Sequence, residues 1–372
     1  MKVLVTGANG FVGKNLIAHL SERKDIEVVP FTRDNSIAQL PLMVAESDFI
    51  FHLAGVNRPL LPQEFKTGNT DLTLALCEAI KVSGKPIPVL YTSSIQADRD
   101  NPYGVSKLAA EQLLQDLHTS HGSRIQVLRL PNVFGKWARP DYNSAVATFC
   151  HNITRGLPVQ INDPKSVISL VYIDDVIDCF VSAMDGGSFA DSNPQVSPVY
   201  SITVGELADQ LHTFRKSRDT LISEAVGTGL VRALYSTYVS YLPVEQFAYD
   251  VPKYGDPRGV FVEMLKTKDS GQFSYFTAYP GITRGGHYHH SKTEKFLVIK
   301  GLACFRFRHI ISGDFYELFT SGDEPRIVET VPGWTHDITN VGDDEMIVML
   351  WANEIFDRER PDTFALPVGT QA

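Results

Sequence analysis

Thr6-Gly7-Ala8-Asn9-Gly10-Phe11-Val12-Gly13 decides how this 372-residue chain is read. The apolar run Lys2-Val3-Leu4-Val5 leads into it, and an amphipathic pattern (Leu16, Ile17, Leu20) leads out. A strand, a glycine turn and a helix in that order form the phosphate-cradling turn of a dinucleotide fold. The first glycine allows the tight turn, the second lets backbone approach a pyrophosphate, and the third lets helix lie on strand. The pyrophosphate then meets the free backbone N–H groups of the helix N-terminus. The spacing is G-x-x-G-x-x-G rather than G-x-G-x-x-G. A glycine turn without ligand is the plainer reading, but strand, helix and position all agree. Gly7, Asn9, Gly10, Phe11, Val12 and Gly13 are therefore the expected cofactor cradle.

Working outward, Glu27–Phe31 reads as a second strand, followed by Thr32-Arg33-Asp34. An acidic residue there binds the ribose of NAD, whereas a cation accommodates the 2′-phosphate of NADP. Arg33 points to NADPH, with Asp34 adjacent pulling the other way. Asp48–Leu53 reads as a buried strand ending in Leu53-Ala54-Gly55, small enough to let a cofactor's ribose and ring lie close to backbone. Asn69 opens the next helix. Pro88–Ser94 and Ile125–Leu130 are further strands. Strands alternating with helices predict a parallel, doubly wound sheet.

Tyr103 and Lys107 stand one turn apart at the start of an apolar-periodic helix that follows Asn101-Pro102. Positions i and i+4 share a helix face. An ammonium beside a phenol is expected to lower its pKa and make Tyr103 a usable acid or base. Ser93 and Ser94 end the preceding strand, where a hydroxyl can hold a carbonyl oxygen beside that phenol.

The formal net charge is −9, from 34 basic and 43 acidic residues, which argues against non-specific nucleic-acid binding. The cysteines Cys77, Cys150, Cys179 and Cys304 form no C-x-x-C pair, as expected of reduced, buried thiols in a cytoplasmic protein. The opening apolar run is too short for a signal peptide, and no stretch is apolar enough to span a bilayer, so no membrane partner is expected.

From Pro140 to about Tyr249 helical runs alternate with Pro- and Gly-bearing loops, and Thr203-Val204-Gly205-Glu206 reads as a capping box. From about Val251 short strands take over, which suggests a β-sandwich or small barrel. His287 and His289 share a strand face, Glu294 sits on the next hairpin arm, and His336 follows in a later strand. Three histidines and a glutamate suit a divalent first-row metal. Arg306 and Arg308 alternate with Phe305 and Phe307; if the basic face looks inward it binds a pyrophosphate, if outward it is a solvated face.

The glycine turn, Leu53-Ala54-Gly55, Ser93-Ser94, Tyr103-x-x-x-Lys107, Arg129-Leu130-Pro131-Asn132-Val133-Phe134-Gly135 and Val171-Tyr172-Ile173-Asp174-Asp175-Val176 resemble the extended short-chain dehydrogenases, which act on nucleotide sugars. That resemblance implies Tyr103 as acid/base, Lys107 on the nicotinamide ribose, Ser94 on the reacting oxygen and Asn132 on the substrate. One departure is that only eight residues separate Ser94 from Tyr103, so part of the usual substrate wall must come from elsewhere. Gly281-x5-His287-Tyr288-His289-x4-Glu294-x6-Gly301, with Gly333-x-x-His336-x-x-x-Asn340, resembles the cupins, a jelly-roll family. Pro332 directly precedes Gly333 where cupins place one residue between.

The expected fold is thus an α/β Rossmann domain with its substrate lobe over residues 1–248, then an all-β cupin jelly roll over 249–372. The pairing is similar to the CapF/WbjC-type bifunctional enzymes of bacterial capsule and O-antigen synthesis. It implies C3 epimerisation of a UDP-2-acetamido-2,6-dideoxy-4-ketohexose in the cupin, with zinc on His287, His289, Glu294 and His336. It also implies NADPH-dependent reduction at C4 in the dehydrogenase half, and a homodimer through the cupin. The C3 base is open among Tyr288, His290 and Lys292. Two other readings stand beside it: an epimerase or dehydratase with a non-catalytic sugar-binding cupin, and an NADPH-sensing regulator. Ile95-Gln96 after Ser94, where dehydratases carry an acid, weighs against the first; a full Ser/Tyr/Lys set weighs against the second.

Overall fold

The apolar opening run forms β1, Lys2–Thr6, and the glycine turn leads directly into α1, Phe11–Leu20. The structure is a computed structural model and describes residues 1–186, 195–290 and 292–369. β2 (Glu27–Phe31), β3 (Phe49–His52), β4 (Val89–Ser94) and β5 (Ile125–Leu130) join β1 in one sheet, in the order β2-β1-β3-β4-β5. Every pairing in it is parallel. Such strands are covered by helices on both faces and read as near-continuous apolar runs, as β3 and β4 do. Leu4, Ile50 and Val89 pack with Leu76, Ile80, Leu114 and Leu117 from the helices Leu72–Ser83 and Pro102–His121. The strand order reverses between β1 and β3, and ligands of open parallel sheets bind at such a switch point.

A second, three-stranded sheet joins Asn132–Phe134, Val167–Tyr172 and Tyr200–Thr203. The expected capping box is present: Glu206 N–H donates to Thr203 Oγ1 at 3.2 Å and Thr203 N–H to Glu206 Oε2 at 2.9 Å.

The chain divides into two compact units, Met1–His212 with Thr228–Pro243, and Thr213–Gly227 with Val244–Ala372. Thr213–Gly227 joins the second unit because Ile222-Ser223 adds a short parallel strand beside Lys266-Thr267. Apart from a 3₁₀ turn at Val244–Gln246, the regular structure among the described residues of the rest of the second unit is all β-strand. One sheet has seven strands, with Gly271–Ala278, Met346–Ala352 and Glu294–Lys300 at its centre. The other has five, centred on Leu302–His309, Trp334–Asn340 and Thr283–Tyr288. Phe276, Phe296, Val298 and Val348 from the first meet Phe305, Phe307 and Ile338 from the second in one apolar core. Alternation along each strand sends these residues inward and their neighbours outward.

Candidate functional site

The glycine turn is shaped by what runs against it. Gly7 adopts φ +70°, and a Cβ there would lie 2.7 Å from the backbone nitrogen of Ala54, where the chain leaves β3. A Cβ on Gly13 would lie 2.3 Å from the Gly7 carbonyl oxygen. Gly7 N–H donates to the Phe31 carbonyl at 3.0 Å, which ties the turn to the end of β2 and brings the exposed Arg33 to the same edge of the sheet. Gly10 caps α1 without a side-chain hydrogen bond. The backbone donors of that first turn are thus available to an anion, and the cradle fits a dinucleotide.

Thr6, His52, Asn69 and Thr73 brace this edge, and sequence reading gave them no such part. His52 is buried between two hydroxyls, Thr6 Oγ1 at 2.7 Å from Nδ1 and Thr73 Oγ1 at 2.9 Å from Nε2. Burial, then the charge of Lys107, pushes its pKa down to about 3. Asn69 accepts from Val56 N–H at 2.7 Å and donates to Val56 O at 3.0 Å, fixing the chain after Gly55. These are long-range contacts with no local signature.

Ser94, Tyr103 and Lys107 come together at the C-terminal end of β4. Ser94 caps a short 3₁₀ turn, Ile95–Asp98, accepting from Gln96 N–H at 3.2 Å, and its hydroxyl is near enough to the Tyr103 phenol to act on its pKa. Asn101 then caps the helix Pro102–His121, accepting from Gly104 N–H at 2.9 Å. A Cβ on Gly104 would stand 2.2 Å from the Gln96 carbonyl oxygen, so the abbreviated eight-residue connection lies directly on the first helical turn. Lys107 is buried, donates to the Thr92 carbonyl at 2.9 Å, and lies 4.8 Å from the centroid of the Tyr91 ring. Burial holds its pKa down to about 8, with Glu111 opposing.

The expectation that Lys107 lowers the Tyr103 pKa does not describe the chain itself. Burial raises the phenol, and the opposing influence is the nearby Ser94 hydroxyl. A buried phenolate is desolvated, and Lys107 is turned toward the Thr92 carbonyl. Behind the site, Ser93 Oγ donates to Glu111, and Arg129 grips Glu111 at 2.6 Å and Asp98 at 2.6 Å. This network joins β4, β5 and the Tyr/Lys helix.

In the second unit His287, His289, Glu294 and His336 offer ligand atoms that all lie within 4.8 Å of one another. His287 and His336 face each other directly across the strands Thr283–Tyr288 and Trp334–Asn340. Glu294 begins a strand of the opposite sheet, so the cluster spans both layers. His289 Nε2 lies 3.2 Å from Glu294 Oε2, and His336 Nε2 lies 3.5 Å from the same oxygen. His289 Nδ1 meets the Asp362 carbonyl at 2.6 Å, and the Asp362 carboxylate accepts from the backbone N–H groups of His290 and Lys292. Such a bond fixes the tautomer, leaving Nε2 as the ligand atom.

Burial would raise the Glu294 carboxyl, but the hydrogen bond with His289, the neighbouring His336 and the charge of Lys292 hold it well below the usual carboxylate range. Burial and the neighbouring His336 push His287 down to about 4. Three imidazoles around a carboxylate, with the buried His336 Nε2 lacking a hydrogen-bond partner, fit a divalent cation.

Arg306 and Arg308 do not face this cluster. Phe305 and Phe307 take the inward positions and leave the arginines on the outer face. Arg306 forms a two-pronged pair with Asp337, at 2.9 and 2.8 Å, and Arg308 donates to the carbonyls of Val368 and Gly313. This corrects the inward, pyrophosphate-binding alternative: the phase of the strand is set by its two phenylalanines. Asn132 is exposed and donates to the Ser169 carbonyl at 3.0 Å.

Residues 3–196 match the NAD dependent epimerase/dehydratase family, and residues 254–364 match the polysaccharide biosynthesis C-terminal domain. Over 372 residues, the whole of both chains, the sequence is 66% identical to the UDP-2-acetamido-2,6-beta-L-arabino-hexul-4-ose reductase of Pseudomonas aeruginosa. UDP-glucuronic acid decarboxylase 5 of Arabidopsis thaliana is 27% identical over 252 residues, 56% of this chain and 73% of that one. The crystal structure of the capsular polysaccharide assembling protein CapF from Staphylococcus aureus matches with a TM-score of 0.93 and 41% identity, covering 99% of this chain and 100% of that one.

Proposed function

Because this chain belongs to the NAD dependent epimerase/dehydratase family and ends in a polysaccharide biosynthesis C-terminal domain, we propose that it is a bifunctional UDP-sugar enzyme. Its C-terminal part, a cupin over residues 249–372, epimerises C3 of a UDP-2-acetamido-2,6-dideoxy-4-ketohexose. Its N-terminal part, residues 1–248, then reduces the C4 ketone with NADPH to the UDP-2-acetamido-2,6-dideoxy-L-talose product. One observation carries the reading: a Ser94–Tyr103–Lys107 set and a buried three-histidine, one-glutamate cluster occur in one chain. That chain matches, end to end, a protein named for reducing a UDP-hexulose.

A nicotinamide cofactor, when bound, supplies the hydride for C4. The glycine turn, Leu53, Ala54 and Gly55 hold it, and Arg33 meets the 2′-phosphate. Tyr103 gives its proton to the ketone oxygen as C4 becomes a carbinol. Ser94 donates to that oxygen and holds it against the phenol. Lys107 takes the ribose hydroxyls. Asn132 meets the substrate's phosphates.

In the cupin, zinc on His287, His289, Glu294 and His336 supplies Lewis acidity toward the ketone. The carbonyl acidifies the neighbouring C3–H, and a base removes that proton before one returns to the opposite face. Of the candidates Tyr288, His290 and Lys292, Lys292 is the buried one, its Nζ 3.6 Å from Glu294 Oε1. The enzyme acts in the cytoplasm as a homodimer through the cupin.

The test separates the two chemistries. Chelation or His289→Ala should stop solvent deuterium from entering at C3 and leave NADPH binding intact. Tyr103→Phe should cut NADPH oxidation by roughly 10²–10⁴-fold while exchange continues. Circular dichroism controls for folding. Full-rate exchange in the chelated, folded protein would remove the metal from the mechanism; loss of exchange in Tyr103→Phe would sink the two-site reading.

A further inference from the structure

We propose that Arg284 is the anion-binding residue of the C-terminal cavity: its guanidinium holds an oxyanion of the sugar nucleotide beside the three histidines and Glu294. The proposal rests on the reading that this cavity receives a UDP-sugar.

Along an unbroken strand, Arg284 and His287 would face opposite sides. The strand Thr283–Tyr288 is not unbroken. Its register shifts between Gly285 and His287, and Gly285 and Gly286 adopt φ of +96° and +77°. Such a bulge inserts one unpaired residue and exchanges the faces on either side of it. Arg284 therefore pairs across with Ile338, and His287 with His336, two positions on one inward face. A side chain at 285 would destroy the arrangement, since its Cβ would stand 2.9 Å from the His336 carbonyl oxygen.

Arg284, His287, Glu294 and His336 consequently line one cavity of about 180 Å³. Its other walls are largely aromatic, among them Phe261, Phe276, Phe305 and Phe307. The guanidinium carbon lies 5.2 Å from the centroid of the Phe276 ring, and its Nε is buried with no hydrogen-bond partner. The carboxylates around it are engaged elsewhere. Asp256 is held by Arg258 at 2.6 Å, Asp337 by Arg306 at 2.8 Å on the outer face, and Glu294 by its histidines. A desolvated N–H with no acceptor is costly, and an oxyanion is its strongest partner.

The cavity is smaller than the roughly 300 Å³ of a pocket enclosing a whole ligand, so it admits the sugar end. The oxyanion has two sources. One is the diphosphate at the cavity mouth. The other is the sugar oxygen that gains negative charge as the C3 proton leaves.

The experiment uses the full chain loaded with zinc, comparing wild type, Arg284→Met and Arg284→Lys for C3 deuterium exchange on the UDP-4-keto sugar. Arg284→Met should lose about 10- to 100-fold in kcat/KM, the scale of a lost charge-assisted hydrogen bond, and Arg284→Lys should recover part. A loss in KM, with weaker binding of inorganic pyrophosphate, assigns the diphosphate. A loss in kcat at unchanged KM assigns the developing oxyanion. A folded, zinc-retaining Arg284→Met within twofold of wild type in both constants overturns the proposal. If wild type itself shows no exchange, the C3 reading fails, and the cobalt-loaded chain decides Arg284 separately. Pyrophosphate should then perturb the visible cobalt spectrum of wild type and not of Arg284→Met; no difference between them overturns the inference.

Discussion

Lys107 and Glu294 are both buried ionisable groups at the heart of a site, and the chain treats their charges in opposite ways. The Lys107 ammonium meets the Thr92 carbonyl, with the Glu111 charge acting on it from a distance, and burial pushes its pKa down. The Glu294 carboxylate is ringed by His289, His336 and Lys292, which keep it charged against burial. The first arrangement suits a site that takes neutral hydroxyls and an oxygen in transit, where a cation works only if it is not already neutralised. The second suits a site that takes a cation, since the carboxylate supplies charge and imidazole nitrogens can supply lone pairs. Desolvation is common to both; partner choice decides what each can bind.

Removing the charge at each site is the sharpest way to break this contrast. Glu294→Gln should weaken zinc by more than the roughly 100-fold that loss of an outer-shell partner costs. Competition against a graded chelator series measures it, and unchanged affinity would make the carboxylate a bystander. Lys107→Met should do something with no counterpart in the C-terminal unit: raise stability while abolishing reduction. The folded pKa of Lys107, about 8, lies below its ordinary 10.5. Below both values the buried ammonium destabilises the fold by up to about 3 kcal/mol. Between them the unfolded chain binds more protons, so wild-type stability rises with pH through that window and the variant's advantage closes there. Urea unfolding across that range tests the sign; a variant less stable than wild type at neutral pH would show that the Thr92 bond outweighs desolvation. The smallest effect is expected at the exposed rim. Arg33→Ala should raise the KM for NADPH about tenfold, the scale of one charge-assisted contact, and leave that for NADH unchanged. Equal effects on both would leave the preference for the phosphorylated cofactor unsupported.

The two sites were also unequally legible in the sequence. Ser94, Tyr103 and Lys107 lie within one strand–turn–helix, so local spacing placed them together. The glycine turn was readable for the same reason, because Gly7, Gly10 and Gly13 answer to one local geometry. The histidines and the glutamate of the C-terminal cluster were recognisable as residue types, and alternation grouped His287 with His289. What alternation could not supply was the phase of each strand. Phe305 and Phe307 turn Arg306 and Arg308 outward, and the Gly285–Gly286 bulge turns Arg284 inward. Both outcomes depend on which neighbours across the sheet are apolar, a long-range property. The direction of the Tyr103 shift was missed for a related reason. It depends on how deeply the phenol is buried, and Tyr-x-x-x-Lys spacing does not encode depth.

Gly104 carries a further consequence. The connection from Ser94 to Tyr103 is short, and the Gln96 carbonyl sits where a side chain at 104 would begin. The abbreviation is therefore written twice, once in the residue count and once in the absence of a methyl group. A methyl group at 104 would meet the Arg99 carbonyl as well, at 2.6 Å, so the connection and the first helical turn fit one another like the two halves of a joint.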